Sequence, residues 1–178
     1  MAEAFSNKLT RAAGIVSTSS NGSIGIQTNL ITGISTVDVT VNQLIDNSNY
    51  ILGTKVSSVG ASQVVVDRDS TNTSATSSQS VKFLGVTTAY TSTGTKSILV
   101  GGTFANNTTS SVNLTINVFD NSASAEVGLA ANIPVPQGSS FVISDTGKTV
   151  LESSDEVRIY CDTANAIDAT LSLLTGVS

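Results

Sequence analysis

The sequence predicts an all-β protein: a small N-terminal β domain, then a β-sandwich or jelly-roll-like domain, with a short N-terminal helix or arm ahead of both. Three observations predict it. Twenty-eight Ser and 24 Thr stand where Lys and Glu usually do, and only 12% of the 178 residues are charged, a composition that favours strands and turns over helices. Val112, Leu114, Ile116 and Val118 alternate with Asn113, Thr115 and Asn117, the period-two pattern of a strand with one buried face. Similar short apolar runs recur between Gly, Asn, Asp and Pro, as in sheet proteins built from many short strands.

Taken in order, residues 1–14 place Phe5, Leu9 and Ala12 at helical spacing, with Glu3 near the start, Arg11 near the end and Gly14 suited to a C-terminal cap. A helix of that length is marginal alone, so its stripe must dock, and Phe5 and Leu9 are the candidate partner-binding anchors. Residues 15–72 carry runs at 23–27, 31–35, 37–41, 55–59 and 63–67, which predict the small β domain. Within it, Val37, Val39 and Val41 alternate with Asp38 and Thr40, and Asn21-Gly22 reads as a hairpin turn. Residues 73–80 are almost wholly polar and predict a linker.

Residues 81–178 form the expected second domain, with strands at 97–104, 112–118, 140–144, 156–161 and 169–173. Pro134 and Pro136 donate no ladder hydrogen bonds and belong at a sheet edge, while Gly101-Gly102 marks a bulge or a close backbone approach. Cys161 shares a strand face with Val157 and Ile159 and is expected to be a small buried hydrophobe. Tyr160 points the other way and is a candidate contact residue.

Catalytic chemistry finds little to work with. The chain has no His, which removes the usual general base and the triads built on it, and its single Cys excludes an internal disulfide. Asp67 with Asp69, or Asp155 with Glu156, match a two-carboxylate hydrolase by residue type, but charged turns beside strands account for both pairs. No acidic stretch has the spacing of a calcium loop, so no metal or cofactor is expected. A net charge of −5 without a basic patch argues against nucleic acid, and no apolar run of membrane-spanning length or signal-peptide pattern is present, which predicts a soluble chain without membrane contact.

The runs GGTFANN at 101–107, VNLTINVF at 112–119, IPVPQGSSFVIS at 133–144 and KTVLESSDEVRI at 148–159 resemble a β-sandwich module of virion proteins in tailed bacteriophages. GTKVSSVGASQVVVDRDS at 53–70 is similar to small β repeats of phage tail-associated proteins, and with the opening MAEAFSNKLTRAAGI the whole resembles structural proteins of the contractile-tailed phages of marine cyanobacteria. The resemblance implies location in the virion and contact with other virion proteins in the capsid, neck or tail. Such a subunit, a capsid decoration or a neck or tail accessory, is expected to be a homo-oligomer. The alternative is a virion-surface module that binds host glycan or envelope, and the absence of Trp, the best sugar-stacking platform, weighs against it.

Overall fold

The structure, a computed structural model, describes residues 3–144 and 148–177. Among these residues there is no helix; the chain forms fifteen strands in three antiparallel sheets. In order they are β1 (Ala4–Ala13), β2 (Ile15–Ile24), β3 (Leu30–Thr32), β4 (Leu44–Asp46), β5 (Val56–Val59), β6 (Gln63–Val66), β7 (Thr76–Gly85), β8 (Thr87–Thr91), β9 (Lys96–Asn106), β10 (Val112–Asp120), β11 (Ala125–Val135), β12 (Ser140–Ile143), β13 (Thr149–Leu151), β14 (Glu156–Cys161) and β15 (Ile167–Val177).

The expected N-terminal helix is instead strand β1, which pairs with β15 from Ala4↔Thr175 to Ala13↔Ile167. A spacing of four residues is ambiguous: it is close to one helical turn and also two strand periods, so Phe5 and Leu9 share a face in either conformation. Ser6, Asn7 and Thr10 are weak helix formers, and a ladder of eight residue pairs to β15 outweighs what local spacing suggests. Gly14 follows the strand at φ 121, where an added Cβ would collide with the Thr163 carbonyl oxygen.

The chain divides into two compact units, Met1–Gly14 with Val86–Ser178, and Ile15–Gly85. The opening segment therefore belongs to the C-terminal unit, and the smaller unit is inserted between β1 and β8. The insertion is closed by its own ends: β2 and β7 pair from Ile15↔Gly85 inward. This differs from a boundary at 72 and a linker at 73–80, because residues 76–80 already run in β7. Polarity misleads there; Thr and Ser satisfy a ladder through the backbone, and Val81 and Phe83 further along anchor the strand in the core.

In the smaller unit the sheet order is β4-β7-β2-β3-β6-β5, around a core that includes Ile24, Ile31, Val64, Val81 and Phe83. Two local expectations fail here for the same reason, a residue in the left-handed region. Asp38 at φ 60 turns residues 37–41 out of a strand, so Val39 is buried while Val37 and Val41 face solvent. Asn21 at φ 71 makes a bulge in β2 opposite β7 rather than a hairpin turn, and Gly22 fits because a Cβ would press on Ile31 and Ile34.

In the larger unit one sheet runs β1-β15-β9-β12, with β13 also on β9, and the other runs β11-β10-β14-β8. Both sheets send apolar side chains into one core: Phe104, Leu171 and Leu173 from the first, Leu114, Ile116 and Ile159 from the second. Cys161 is buried among them, and Pro134 lies in the edge strand β11, both as expected. Gly101-Gly102 marks a bulge against β15, and a Cβ on Gly102 would lie 2.9 Å from Leu171. Polar groups inside are satisfied: Tyr90 Oη pairs with Ser97 Oγ at 2.8 Å, and Asn106 Nδ2 donates to the Ser110 and Val135 carbonyls.

Leu114 is fully buried, so Leu114→Ala is expected to remove about 2 to 5 kcal/mol of stability through lost burial and the cavity left behind. A lower urea midpoint for the larger unit would register it.

Candidate interaction surface

Alternation along β1, β15 and β9 fixes which side chains leave the core. Ser6, Lys8 and Thr10 share a face with the buried Leu173, Leu171 and Ala169, so Phe5, Asn7 and Leu9 face outward with Leu174, Ser172 and Thr170. Register carries the pattern across the sheet. Phe5 lies opposite Leu174, Leu174 opposite Ile98, and Ile98 opposite Val150, an uninterrupted apolar row over β1, β15, β9 and β13. A second row runs Leu9, Thr170, Thr103, Val142. Phe5 and Leu9 are 79% and 76% exposed, and Val142 and Val150 are also more than half exposed.

The two expected anchors are thus on one outward face, and the sheet adds Ile98, Leu174, Val142 and Val150 to them. Sequence reading missed those four because each belongs to a different strand. Neighbouring positions on the face carry small hydroxyls: Ser172 Oγ donates to Asn7 Oδ1 at 3.3 Å, and Thr170 and Thr103 are exposed. Short side chains lose little rotamer freedom when covered, and the large exposed apolar groups supply the gain on burial, about 1.5 to 3 kcal/mol each when fully covered.

The third candidate, Tyr160, is not a contact residue: it is 2% exposed. Its strand position is as the alternation predicts, opposite Thr115 and away from the core face of β14, but its hydroxyl donates to Glu126 Oε1 at 2.8 Å. Glu126 also accepts from Asn117 Nδ2 and pairs with Arg158, while Arg158 Nε donates to Glu156 and its guanidinium sits 3.7 Å from the Phe119 ring centroid. A glutamate 34 residues from Tyr160 in sequence cannot be read as the phenol's acceptor without the β10 register. Burial first, and the charge of Glu126 second, push the Tyr160 phenol well above its usual range.

Three of the four carboxylates in the two pairs have structural partners. Asp155 is buried and accepts from the backbone N–H groups of Asn121 and Glu152, holding two turns, while Glu156 pairs with Arg158. Asp67 accepts from the Lys55 N–H. Among the described residues no three His, Cys, Asp or Glu side chains gather to hold a metal. One open cleft of about 470 Å³ lies beside β1 and β8, lined by Ser6, Lys8, Thr88, Thr91 and Thr93 among others, and no carboxylate lines it.

No protein-family model and no curated protein matches the chain. A chain from the structure of infectious bursal disease virus Gx strain aligns with 96% of this chain at 10% identity and a TM-score of 0.32; this chain spans 56% of that chain's length. A likeness that distant carries neither a fold nor a function.

Both perturbed phenols make alkaline stability a readout. Tyr50, raised to about 12 mainly by burial, and Tyr160 stay neutral in the folded state above the usual value of 10.0, so their contribution is complete below pH 10.0 and is lost as pH rises through that window. Tyr160→Phe is expected to destabilise the fold by about 1.5 to 3 kcal/mol at neutral pH through the lost bond to the Glu126 carboxylate, and to flatten the fall of the urea midpoint with pH above 10.0.

Proposed function

We propose that this chain is a non-enzymatic structural subunit of a virus particle, a capsid decoration or a neck or tail accessory, that assembles through protein–protein contacts. The observation that carries the reading is the outward apolar row Phe5, Leu174, Ile98, Val150, set on a rigid sheet and surrounded by small polar side chains. An exposed apolar strip framed by hydroxyls has the composition of a contact surface, with large apolar groups at its centre and few long charged side chains to desolvate. The sequence resemblance to tailed-phage virion modules supplies the setting, and the two-sheet unit is read as the β-sandwich scaffold.

In this reading the larger unit presents a flat face to other virion proteins, and Glu126, Arg158 and Tyr160 stiffen the opposite sheet. The structural work of Asp155, which holds two turns, and of Glu156, which pairs with Arg158, favours this reading over a hydrolase built on that pair.

The test is quantitative mass spectrometry of purified particles. The chain is expected at a fixed ratio to the major capsid protein, and its absence would end the reading. Phe5→Asp and Val150→Asp, both at exposed positions, are expected to keep the fold and to lower incorporation by at least about tenfold, the loss that about 1.4 kcal/mol of contact energy entails. Undiminished incorporation of both variants would place the contact elsewhere.

A further inference from the structure

Among the described residues, strand β1 stands at the end of its sheet and is paired on one side only, to β15. Over Ala4–Leu9 it is a regular strand, with its irregularity confined to the stretch between Thr10 and Ala13. A long regular edge with exposed large apolar side chains is what proteins usually avoid, since its unpaired backbone groups accept another strand. The other edge strand of comparable length, β11, carries Pro134 and two register shifts against β10. Toward its end β1 is guarded by the irregularity at Ala12 (φ 55) and by β8, whose Ala89 carbonyl accepts from Thr10 Oγ1, but along Ala4–Leu9 the edge carries no such guard except Lys8, and the positions of Lys8 and Arg11 select a partner.

We propose that the free edge of β1 is a self-pairing site, at which the β1 strand of a second copy of this chain adds antiparallel about a two-fold axis through Asn7. The proposal rests on the assembly reading for its purpose, but its argument is geometric. A two-fold axis normal to the sheet keeps the outward faces of both copies on one side, so odd-numbered residues must lie opposite odd-numbered ones. Among such registers, the one centred on Asn7 sets Phe5 opposite the partner's Leu9 within the regular stretch and brings Glu3, just ahead of β1, level with the partner's Arg11, at the start of its irregular stretch, each twice by symmetry. It also sets Lys8 opposite the partner's Ser6, so no like charges meet. Centring on Leu9 leaves both basic residues without a carboxylate, and centring on Phe5 sets Leu9 beyond Phe5's reach and Glu3 opposite the partner's Asn7.

Charge and apolar complementarity therefore coincide in one register. Glu3, Phe5, Leu9 and Arg11 are all exposed in the single chain, so each is available to a second copy. The pairing would also join the outward rows: Val150, Ile98, Leu174 and Phe5 of one copy continue into the partner's Leu9, Thr170, Thr103 and Val142. Strand addition alone covers less area than a permanent interface does, so the contact is of the weak class in solution and gains strength where an assembly holds many copies together.

Two measurements on the full chain decide it. Residues directly opposite in an antiparallel pair have Cα atoms about 4.5 to 5.5 Å apart, inside the disulfide range. Asn7→Cys is therefore expected to form a covalent dimer under mild oxidation at high protein concentration, while Thr103→Cys, exposed on the same face, stays monomeric. In light scattering, Arg11→Glu is expected to weaken self-association at least about tenfold, and Glu3→Arg combined with Arg11→Glu to restore it, with circular dichroism confirming the sheet in each. Cross-linking of Asn7→Cys no faster than of Thr103→Cys, or a charge-swapped double variant as weak as Arg11→Glu, would overturn the pairing. Particles that contain the chain although Asn7→Cys does not cross-link would remove this register and leave the assembly reading standing; cross-linking without incorporation would do the reverse.

Discussion

The ladder between β9 and β15 orders the larger unit. It runs from Ile167↔Asn106 to Val177↔Lys96, and every other strand of its sheet is placed by it: β1 on the far side of β15, β12 and β13 on the far side of β9. Side chains alternate along a strand, so fixing this register decides at once which of Leu171, Leu173, Phe104 and Leu99 enter the core and which of Leu174, Ser172, Ile98 and Thr103 leave it. A slip of one residue would exchange the two sets. The bulge at Val100, beside Gly101, absorbs the irregularity between Ser172 and Leu173 without reversing the faces on either side of it, and a second shift, between Thr175 and Val177, falls at the end of the ladder.

That constraint explains why the outward apolar row is compatible with a well-formed core. The inner face is filled by large aliphatic groups and Phe104, with the few buried hydroxyls and amides paired to one another or to carbonyls. The outward residues are then free to vary for contact. With few charged side chains in the chain, those present are put to particular work: Arg158 and Glu126 lock the second sheet, Asp155 holds two turns, and Glu3 and Arg11 flank the open edge of β1.

The inserted unit illustrates a second physical rule. Its entry and exit strands, β2 and β7, pair with one another, so a long segment leaves and returns to the larger unit at adjacent points and closes its own core around Phe83 and Ile31. Insertion at such a place asks little of the host, because the ends it must join are already side by side. The Ser- and Thr-rich stretch that resembles a linker in composition is part of this closure.

The residues by themselves determined the all-β class, the faces of β10 and β14, the burial of Cys161, the edge position of Pro134 and the outward pairing of Phe5 with Leu9. The strand faces follow from period-two alternation and the place of Pro134 from its missing N–H, while Phe5 and Leu9 are paired by a helical spacing of four that a strand also satisfies. Tertiary structure alone decided that residues 4–13 are a strand, since a spacing of four fits both periods and the ladder to β15 breaks the tie. It decided that Asp38 and Asn21 turn or bulge the chain, because a left-handed residue costs little for Asn or Asp and is chosen by the surrounding packing. It also decided that Tyr160 is held by Glu126 and that Ile98, Leu174 and Val150 complete a row begun by Phe5. Those relations join residues many positions apart, and they exist only once strand registers are set, which no local pattern encodes.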